Sequence, residues 1–79
     1  MRVNVLAFGI ARDIFGGPSL QVEINANTVA GLKTSLETSY PKLKALASYL
    51  VAVNNEYAAD EYVLDTRDEV AIIPPVSGG

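Results

Sequence analysis

Apolar residues alternate with polar ones in two stretches near the start of the chain, residues 2–8 and residues 19–25. This period of two predicts β-strands that pair as a hairpin-like unit, each with one face toward a core. Between them, residues 10–15 have apolar side chains four positions apart, which indicates one or two helical turns that Gly16-Gly17-Pro18 ends. The apolar positions behind these predictions are Val3, Val5, Ala7, Ile10, Ile14, Leu20, Val22 and Ile24.

The apolar period then changes from two to that of a helix. We expect a helix that Asn27 or Thr28 caps and that runs to about Ser39. Gly31 inside it either permits close packing on the sheet or is simply tolerated, at a cost of about 1 kcal/mol relative to alanine. Pro41 ends this helix or begins a second short one. The apolar residues of the two segments are Val29, Leu32 and Leu36, followed by Leu43, Leu46 and Ala47.

Short apolar runs separated by polar turns make up the C-terminal half. They predict strands over residues 50–54, 56–58 and 69–73. Asn54-Asn55 supplies the first turn, because asparagine tolerates a positive φ, and residues 65–68 form another polar turn.

This order of elements predicts an α+β fold. A mixed sheet folded over one main helix is the economical way to bury all these apolar faces, and that is the β-grasp, or ubiquitin-like, architecture. Its first and last strands lie parallel and adjacent in the middle of the sheet. We therefore expect a β-grasp domain over residues 1–75 and an extended, flexible C-terminal diglycine tail over residues 76–79.

The two central strands would create an apolar patch on the side of the sheet away from the helix. An exposed contiguous apolar surface usually binds a partner, which is the interpretation that we favour. The alternative is that residues 55–64, with Tyr57 and Tyr62, fold over the patch. The residues expected to face the helix are Val3, Val5, Val70 and Ile72, and those expected to face away are Leu6, Phe8, Ala71 and Ile73.

Composition excludes several functions. The 79 residues have a net charge of −3, and the six lysines and arginines are scattered, which argues against binding nucleic acid. The absence of cysteine and histidine excludes cysteine nucleophiles, disulfides, the usual zinc sites and histidine acid–base chemistry. No apolar run approaches the roughly 18 residues that span a bilayer, and no signal peptide is evident. We expect a cytoplasmic protein with no membrane partner and no bound cofactor.

The C-terminal residues form the candidate reactive end. Pro74-Pro75 ends the last strand and biases the chain toward an extended path. Glycines without a Cβ could thread a narrow channel in another protein, and the carboxylate of Gly79 could attack the α-phosphate of ATP to give an acyl-adenylate. A sulfur donor would then displace AMP and leave a thiocarboxylate. Two terminal glycines alone favour an inert tail. The β-grasp order, the diproline directly after the last strand and the end of the sequence at the second glycine reverse that preference toward the reactive end.

Two segments resemble the small subunits of molybdopterin synthase, the sulfur carriers of molybdenum-cofactor biosynthesis. Residues 68–79, DEVAIIPPVSGG, are similar to the C-terminus of that family, and residues 5–13, VLAFGIARD, to its first strand and following helix. The resemblance implies a β-grasp fold and an E1-like adenylyltransferase that uses ATP to activate Gly79, with sulfur from a separate donor. It also implies docking on the large synthase subunit, where the tail donates sulfur to precursor Z in a heterotetramer.

The resemblance also assigns roles to individual residues. The docking surface of the family maps onto Phe8 and Ile73, with Leu6 beside them, and Arg12 matches a family arginine whose alternative role is a structural salt bridge. The tail residues that would enter the partner are Pro74, Pro75, Val76, Ser77, Gly78 and Gly79.

One departure and three alternatives accompany this interpretation. The family often has Asp-Gly where this chain has Thr66-Arg67, and a turn that needs a positive φ would be strained with arginine there.

The thiamine-pathway sulfur carrier shares the fold and the diglycine end but usually lacks the diproline. A ubiquitin-like modifier that forms isopeptide bonds shares the activation chemistry, and a binding module with an inert tail is the third alternative.

Overall fold

The computed structural model describes residues 1–46 and 48–74, in which a five-stranded sheet and one main helix enclose an apolar core. Each predicted strand is present, with ends within one or two residues of those expected. Pro41 begins a second short helix rather than only ending the first. In chain order the elements are β1 (Arg2–Ala7), α1 (Ile10–Phe15), β2 (Ser19–Glu23), α2 (Val29–Ser39), α3 (Pro41–Lys44), β3 (Leu50–Val53), β4 (Glu56–Tyr57) and β5 (Val70–Ile73).

The strands lie across the sheet in the order β2-β1-β5-β3-β4. β1 and β5 run parallel in the middle, with Val5 beside Val70 and Ala7 beside Ile72, and the other neighbouring strands are antiparallel. The predicted β-grasp fold is confirmed. Because the two central strands are parallel, both end at the same end of the sheet, so the chain leaves β1 and β5 side by side.

The core forms where the apolar stripe of α2 meets the inward face of the sheet. Thr28 caps this helix, since its Oγ1 accepts a 3.2 Å hydrogen bond from the amide of Gly31. The predicted inward residues are all buried, which confirms the assignment of the two faces of β1 and β5. The core includes Val3, Val5, Val29, Leu32, Leu36, Leu43, Val70 and Ile72, each without measurable exposure.

Gly31 is required by the loop that precedes α2, which is neither of the alternatives that the sequence left open, packing on the sheet or simple tolerance. A Cβ built on Gly31 would lie 2.2 Å from the carbonyl oxygen of Ala26, which is far inside van der Waals contact. We expect Gly31→Ala to lower the free energy of unfolding by about 3 kcal/mol, because backbone must move to make room. Urea denaturation would measure this. Gly17→Ala is the matched control, since no atom lies within 4 Å of a Cβ there, and equal stability of the two variants would contradict the explanation.

Tyr49 should cause the stability of the fold to decrease at alkaline pH. Its hydroxyl donates a 2.5 Å hydrogen bond to Oε2 of Glu37, and partial burial together with this carboxylate raises the pKa of Tyr49 well above its usual value. The folded chain therefore binds this proton more tightly than the unfolded chain. The resulting stabilisation is complete below about pH 10 and is lost as the pH rises further. Thermal melts should show Tm falling more steeply above that pH in the wild type than in Tyr49→Phe; parallel curves would refute this.

The two polar turns of the C-terminal half are built differently. Asn54 and Asn55 have positive φ values of 52° and 71°, which confirms the predicted asparagine turn. The 65–68 turn instead rests on Asp65, whose Oδ1 accepts a 2.9 Å bond from the amide of Arg67. Bonds from that amide and from the Arg67 side chain lower the pKa of Asp65. Thr66 and Arg67 do not have positive φ, so the departure from Asp-Gly causes no backbone strain.

Candidate functional site

The candidate site is built from two rows of side chains that cross the sheet on the side away from α2. In the first row, Leu6 lies beside Ala71, Ala71 beside Ala52, and Ala52 beside Tyr57. In the second row, Leu50 lies beside Ile73, and Phe8 follows β1 at the same end of the sheet. Residues opposite one another on neighbouring strands share a face, so the registers put all of them on one surface. We call it the open-face patch: Leu6, Phe8, Leu50, Ala52, Tyr57, Ala71 and Ile73.

The open-face patch combines exposed side chains with a shallow depression. Phe8 is 48% exposed, Leu50 50% and Tyr57 71%, whereas Leu6, Ala71 and Ile73 are half-buried. The depression is lined by six of the seven patch residues together with Asn55 and Glu69. Leu6, Phe8 and Ile73 thus come together on one surface, as the sequence predicted, and their role in binding a partner remains a prediction.

The segment from residue 58 to residue 64 leaves the patch open. It runs instead to the start of α2, where the carbonyl oxygens of Asp60 and Tyr62 accept bonds of 3.0 Å from the amides of Ala30 and Val29. These bonds satisfy N–H groups that a helix cannot pair within its first turn. The Lys33 ammonium adds a 2.7 Å ion pair with Asp60. Of residues 55–64, only Asn55 and Tyr57 line the depression, so the alternative that this segment covers the patch is wrong.

Sequence reasoning missed Leu50 and Ala52 as members of the patch, and it considered Tyr57 only within the segment that was the alternative cover for it. All four residues of β3 are apolar, and Ala52 is buried like Val51 and Val53, so the sequence of this strand carries no polar–apolar alternation that would separate its two faces. Leu50 could be placed in the patch only once β3 was known to be the neighbour of β5, because pairing of Leu50 with Ile73 is what puts Leu50 beside the point at which the chain leaves β5.

Polarity changes along the open side of the sheet. At the end opposite the patch, Arg2 lies beside Glu23 and Asn4 beside Gln21, and all four are exposed. The N-terminal ammonium forms a 2.8 Å ion pair with Glu23. Its hydrogen bond and charge lower the pKa of that carboxyl. The apolar part of this surface is therefore confined to the end of the sheet at which the chain leaves β5.

Of the remaining predicted site residues, Arg12 and Pro74 belong to the described part of the chain and the others lie beyond it. Pro74 follows β5 directly and is half-buried. The Arg12 side chain on α1 is exposed, and none of the ion pairs between described residues includes it, so the structure gives no support to the salt bridge considered for it. Pro75, Val76, Ser77, Gly78 and Gly79 lie outside the described residues.

Two broader properties of the described chain bear on function. Between residues 1 and 46 and between 48 and 74, histidine, cysteine and carboxylate side chains form no group of three or more that could hold a metal ion. Over the same ranges, no helix has the length and apolar character that crossing a membrane requires.

Comparison with known proteins gives relatives that match this chain along nearly its whole length. A protein of Arabidopsis thaliana named molybdopterin synthase sulfur carrier subunit is 37% identical over 81 residues, covering 100% of this chain and 84% of its own. The protein of the same name from Mycobacterium tuberculosis is 39% identical over 82 residues, covering 100% of this chain and 99% of its own.

Solved structures extend the comparison to two kinds of protein. Small archaeal modifier protein 1 from Methanosarcina acetivorans superposes with a TM-score of 0.81 at 28% identity, covering 99% of this chain and 96% of that one. A chain from the complex of subunits 1 and 2 of the molybdopterin-converting factor of Helicobacter pylori superposes with a TM-score of 0.68 at 26% identity, covering 100% of both chains. The model of the ThiS family matches residues 5–79, in agreement with these similarities. The chain belongs to the ThiS family.

Proposed function

We propose that this chain is the sulfur carrier subunit of a molybdopterin synthase. The observation that supports this most directly is the position of the open-face patch, which ends where β5 delivers the chain to Pro74 and the glycine tail. A partner that binds the patch is thereby placed beside the tail. The names of the Arabidopsis thaliana and Mycobacterium tuberculosis relatives support the same role.

The reaction proposed for Gly79 uses only its terminal carboxylate. A carboxylate oxygen attacks the α-phosphorus of ATP, pyrophosphate leaves, and an acyl-adenylate forms. A hydrosulfide equivalent from the sulfur donor then attacks the carbonyl carbon, AMP leaves with the oxygen through which it was attached, and a thiocarboxylate remains. The chain has no cysteine or histidine to act as nucleophile or acid–base catalyst. The adenylyltransferase and the large synthase subunit therefore supply catalysis, and the carrier supplies the reacting group.

The large subunit of the synthase is the proposed acceptor. The Helicobacter pylori neighbour is a complex of two subunits of the molybdopterin-converting factor, which supports a two-subunit assembly here. Docking through the open-face patch would remove Phe8, Leu50 and Tyr57 from water. Burial of apolar area contributes roughly 25 cal/mol per Å² before the costs of association.

Intact mass spectrometry tests the first half of the proposal. The chain is incubated with the adenylyltransferase, ATP and a sulfur donor, and the expected product is heavier by the difference between sulfur and oxygen. Omission of ATP is the control. An unchanged mass, under conditions in which the same adenylyltransferase loads another carrier, would refute the proposal.

A second assay assigns the pathway. The thiocarboxylate form is mixed with the large synthase subunit and precursor Z, and formation of molybdopterin is expected. A chain that accepts sulfur but gives no molybdopterin would point instead to the thiamine-pathway carrier, against which Pro74-Pro75 argues.

The second candidate function is that of a protein modifier. The likeness to the Methanosarcina acetivorans modifier favours it, and an acyl-adenylate at Gly79 would serve both reactions. In that case the carbonyl carbon is attacked by a lysine amine, AMP leaves and an isopeptide bond forms. Trypsin cleaves after Arg67, so mass spectrometry of digested cell extracts would reveal such conjugates as lysines linked to residues 68–79, DEVAIIPPVSGG. Their absence, together with activity in the molybdopterin assay, would leave the carrier role alone.

A further inference from the structure

The chain leaves β1 at Gly9, directly beside the point at which it leaves β5. Ala7 pairs with Ile72 in the parallel register, so two further residues along each strand bring Gly9 level with Pro74. A Cβ built on Gly9 would lie 3.2 Å from Cγ of Pro74. A Cβ at position 9 would therefore require the proline ring or the backbone around it to shift by a few tenths of an ångström.

Gly9 also has a backbone conformation that L-residues rarely adopt. Its φ is 55° and its ψ is −132°, and the carbonyl of Phe8 accepts a 3.0 Å hydrogen bond from the amide of Ala11. Residues 8–11 therefore form a turn of the II′ kind, in which the second position needs a positive φ. Glycine at this point satisfies both the turn into α1 and the close approach of Pro74.

We propose that Gly9 is a positioning residue for the C-terminal tail, because the absence of a side chain at Gly9 lets the ring of Pro74 pack directly against its Cα. Pro74 has no N–H with which to extend the ladder to β1, so packing must restrain it. A side chain at position 9 would push the ring outward. Since the ring closes on the backbone nitrogen, a shift of the ring changes the direction in which the chain leaves β5. This inference rests on the proposed carrier function, in which Gly79 must reach ATP inside a partner.

Gly9→Ala tests the inference against a matched control. Gly16→Ala also puts an alanine at a positive φ, at the other end of α1, although the αL conformation of Gly16 (φ 82°, ψ 20°) is less costly for alanine than that of Gly9, and no atom lies within 4 Å of a Cβ there. We expect Gly9→Ala to lower kcat for thiocarboxylate formation about tenfold or more, because small misplacements of a reacting group are costly. Gly16→Ala should retain the wild-type kcat. Equal rates for the two variants would overturn the proposal.

Binding measurements separate the tail from the neighbouring docking residue, Phe8. The affinity for the adenylyltransferase is measured in chains that lack Gly78-Gly79, with and without Gly9→Ala. Unchanged affinity in this background, with reduced kcat in the full-length chain, supports positioning of the tail. A similar loss of affinity in the tail-less chain would assign the effect to docking and overturn the proposal.

Pro74→Ala approaches the same contact from the other side and keeps the proposal testable if Gly9→Ala does not fold. It removes the ring beside Gly9 and should lower kcat without weakening binding of the tail-less chain. An unchanged kcat would contradict a role for the contact between Gly9 and Pro74 in positioning the tail. A wild-type chain that accepts no sulfur would remove the carrier function and this inference together. A wild-type chain that is loaded normally, with both variants equally active, would remove only the inference.

Discussion

Deletion of Gly79 should abolish thiocarboxylate formation while the domain remains as stable as the wild type. The truncated chain still ends in a glycine carboxylate, but that group falls short by about 3.5 Å, the length of one extended residue. A reacting carboxylate displaced this far from an α-phosphate loses the near-attack geometry, and we expect a loss of at least about 100-fold in rate. Intact mass after incubation with the adenylyltransferase measures the loss, and a thermal melt monitors the fold.

Gly79→Ala is the matched variant for this deletion. It keeps the carboxylate at full reach and adds one methyl group next to the reacting carbonyl, so its rate should fall between those of the wild type and the deletion. A deletion variant that is loaded at the wild-type rate would show that Gly79 is not the reacting residue. A lower Tm in the deletion variant would contradict the expectation that the core does not depend on this residue.

Phe8→Asp should weaken binding to the large synthase subunit by at least about 100-fold, since truncation of a central apolar anchor alone often costs more than 2 kcal/mol and a carboxylate must also be desolvated. Because Phe8 is 48% exposed in the free chain, the fold should survive. Leu50→Asp should have a similar effect, as Leu50 is 50% exposed and lies beside Ile73. Isothermal titration calorimetry gives the affinities.

Val63→Asp provides the comparison for these patch variants. Val63 is 62% exposed, and its backbone pairs with Thr28 at the start of α2, away from the open-face patch. Its replacement should leave the affinity for the large subunit unchanged. If Val63→Asp weakened binding as much as Phe8→Asp, the docking surface would have to be placed elsewhere. If Phe8→Asp unfolded the chain, the assignment of Phe8 to the open side would be wrong.

The contribution of the described chain to the proposed function is to place the docking surface beside the start of the C-terminal tail. The parallel pairing of β1 with β5 brings Phe8, Gly9 and Pro74 to one end of the sheet. The antiparallel pairing of β3 with β5 adds Leu50 to the same end. Under the proposed function, a partner that recognises this apolar surface would bind beside the point at which the chain leaves β5 for Pro74.

Most of the secondary structure could be predicted from the sequence because local patterns determine it. The alternation of Val3 and Val5 with polar residues predicted a strand and its inward face. The stripe of Val29, Leu32 and Leu36 predicted the long helix. The asparagine turn at residues 54–55 was predictable for the same reason, since the tolerance of asparagine for a positive φ is a property of one residue.

Other features of the candidate site could not be predicted, because they depend on contacts between residues far apart in the chain. The reason for Gly31 lies in the carbonyl oxygen of Ala26, and only the path of the preceding loop brings that atom near the helix. The path of residues 58–64 was likewise undetermined, since the sequence allowed this segment to cover the patch and only the structure shows that it pairs with the start of α2.

The sequence by itself determined which residues are apolar at strand or helix spacing, that cysteine and histidine chemistry is absent, and that the chain given ends in Gly-Gly after a diproline. Only the tertiary structure decided that Leu50 and Tyr57 join Phe8 on one surface and that Gly9 lies against Pro74. The physical reason is that periodicity is a property of each segment alone. Strand order and register, by contrast, follow from how all the segments bury their apolar faces together.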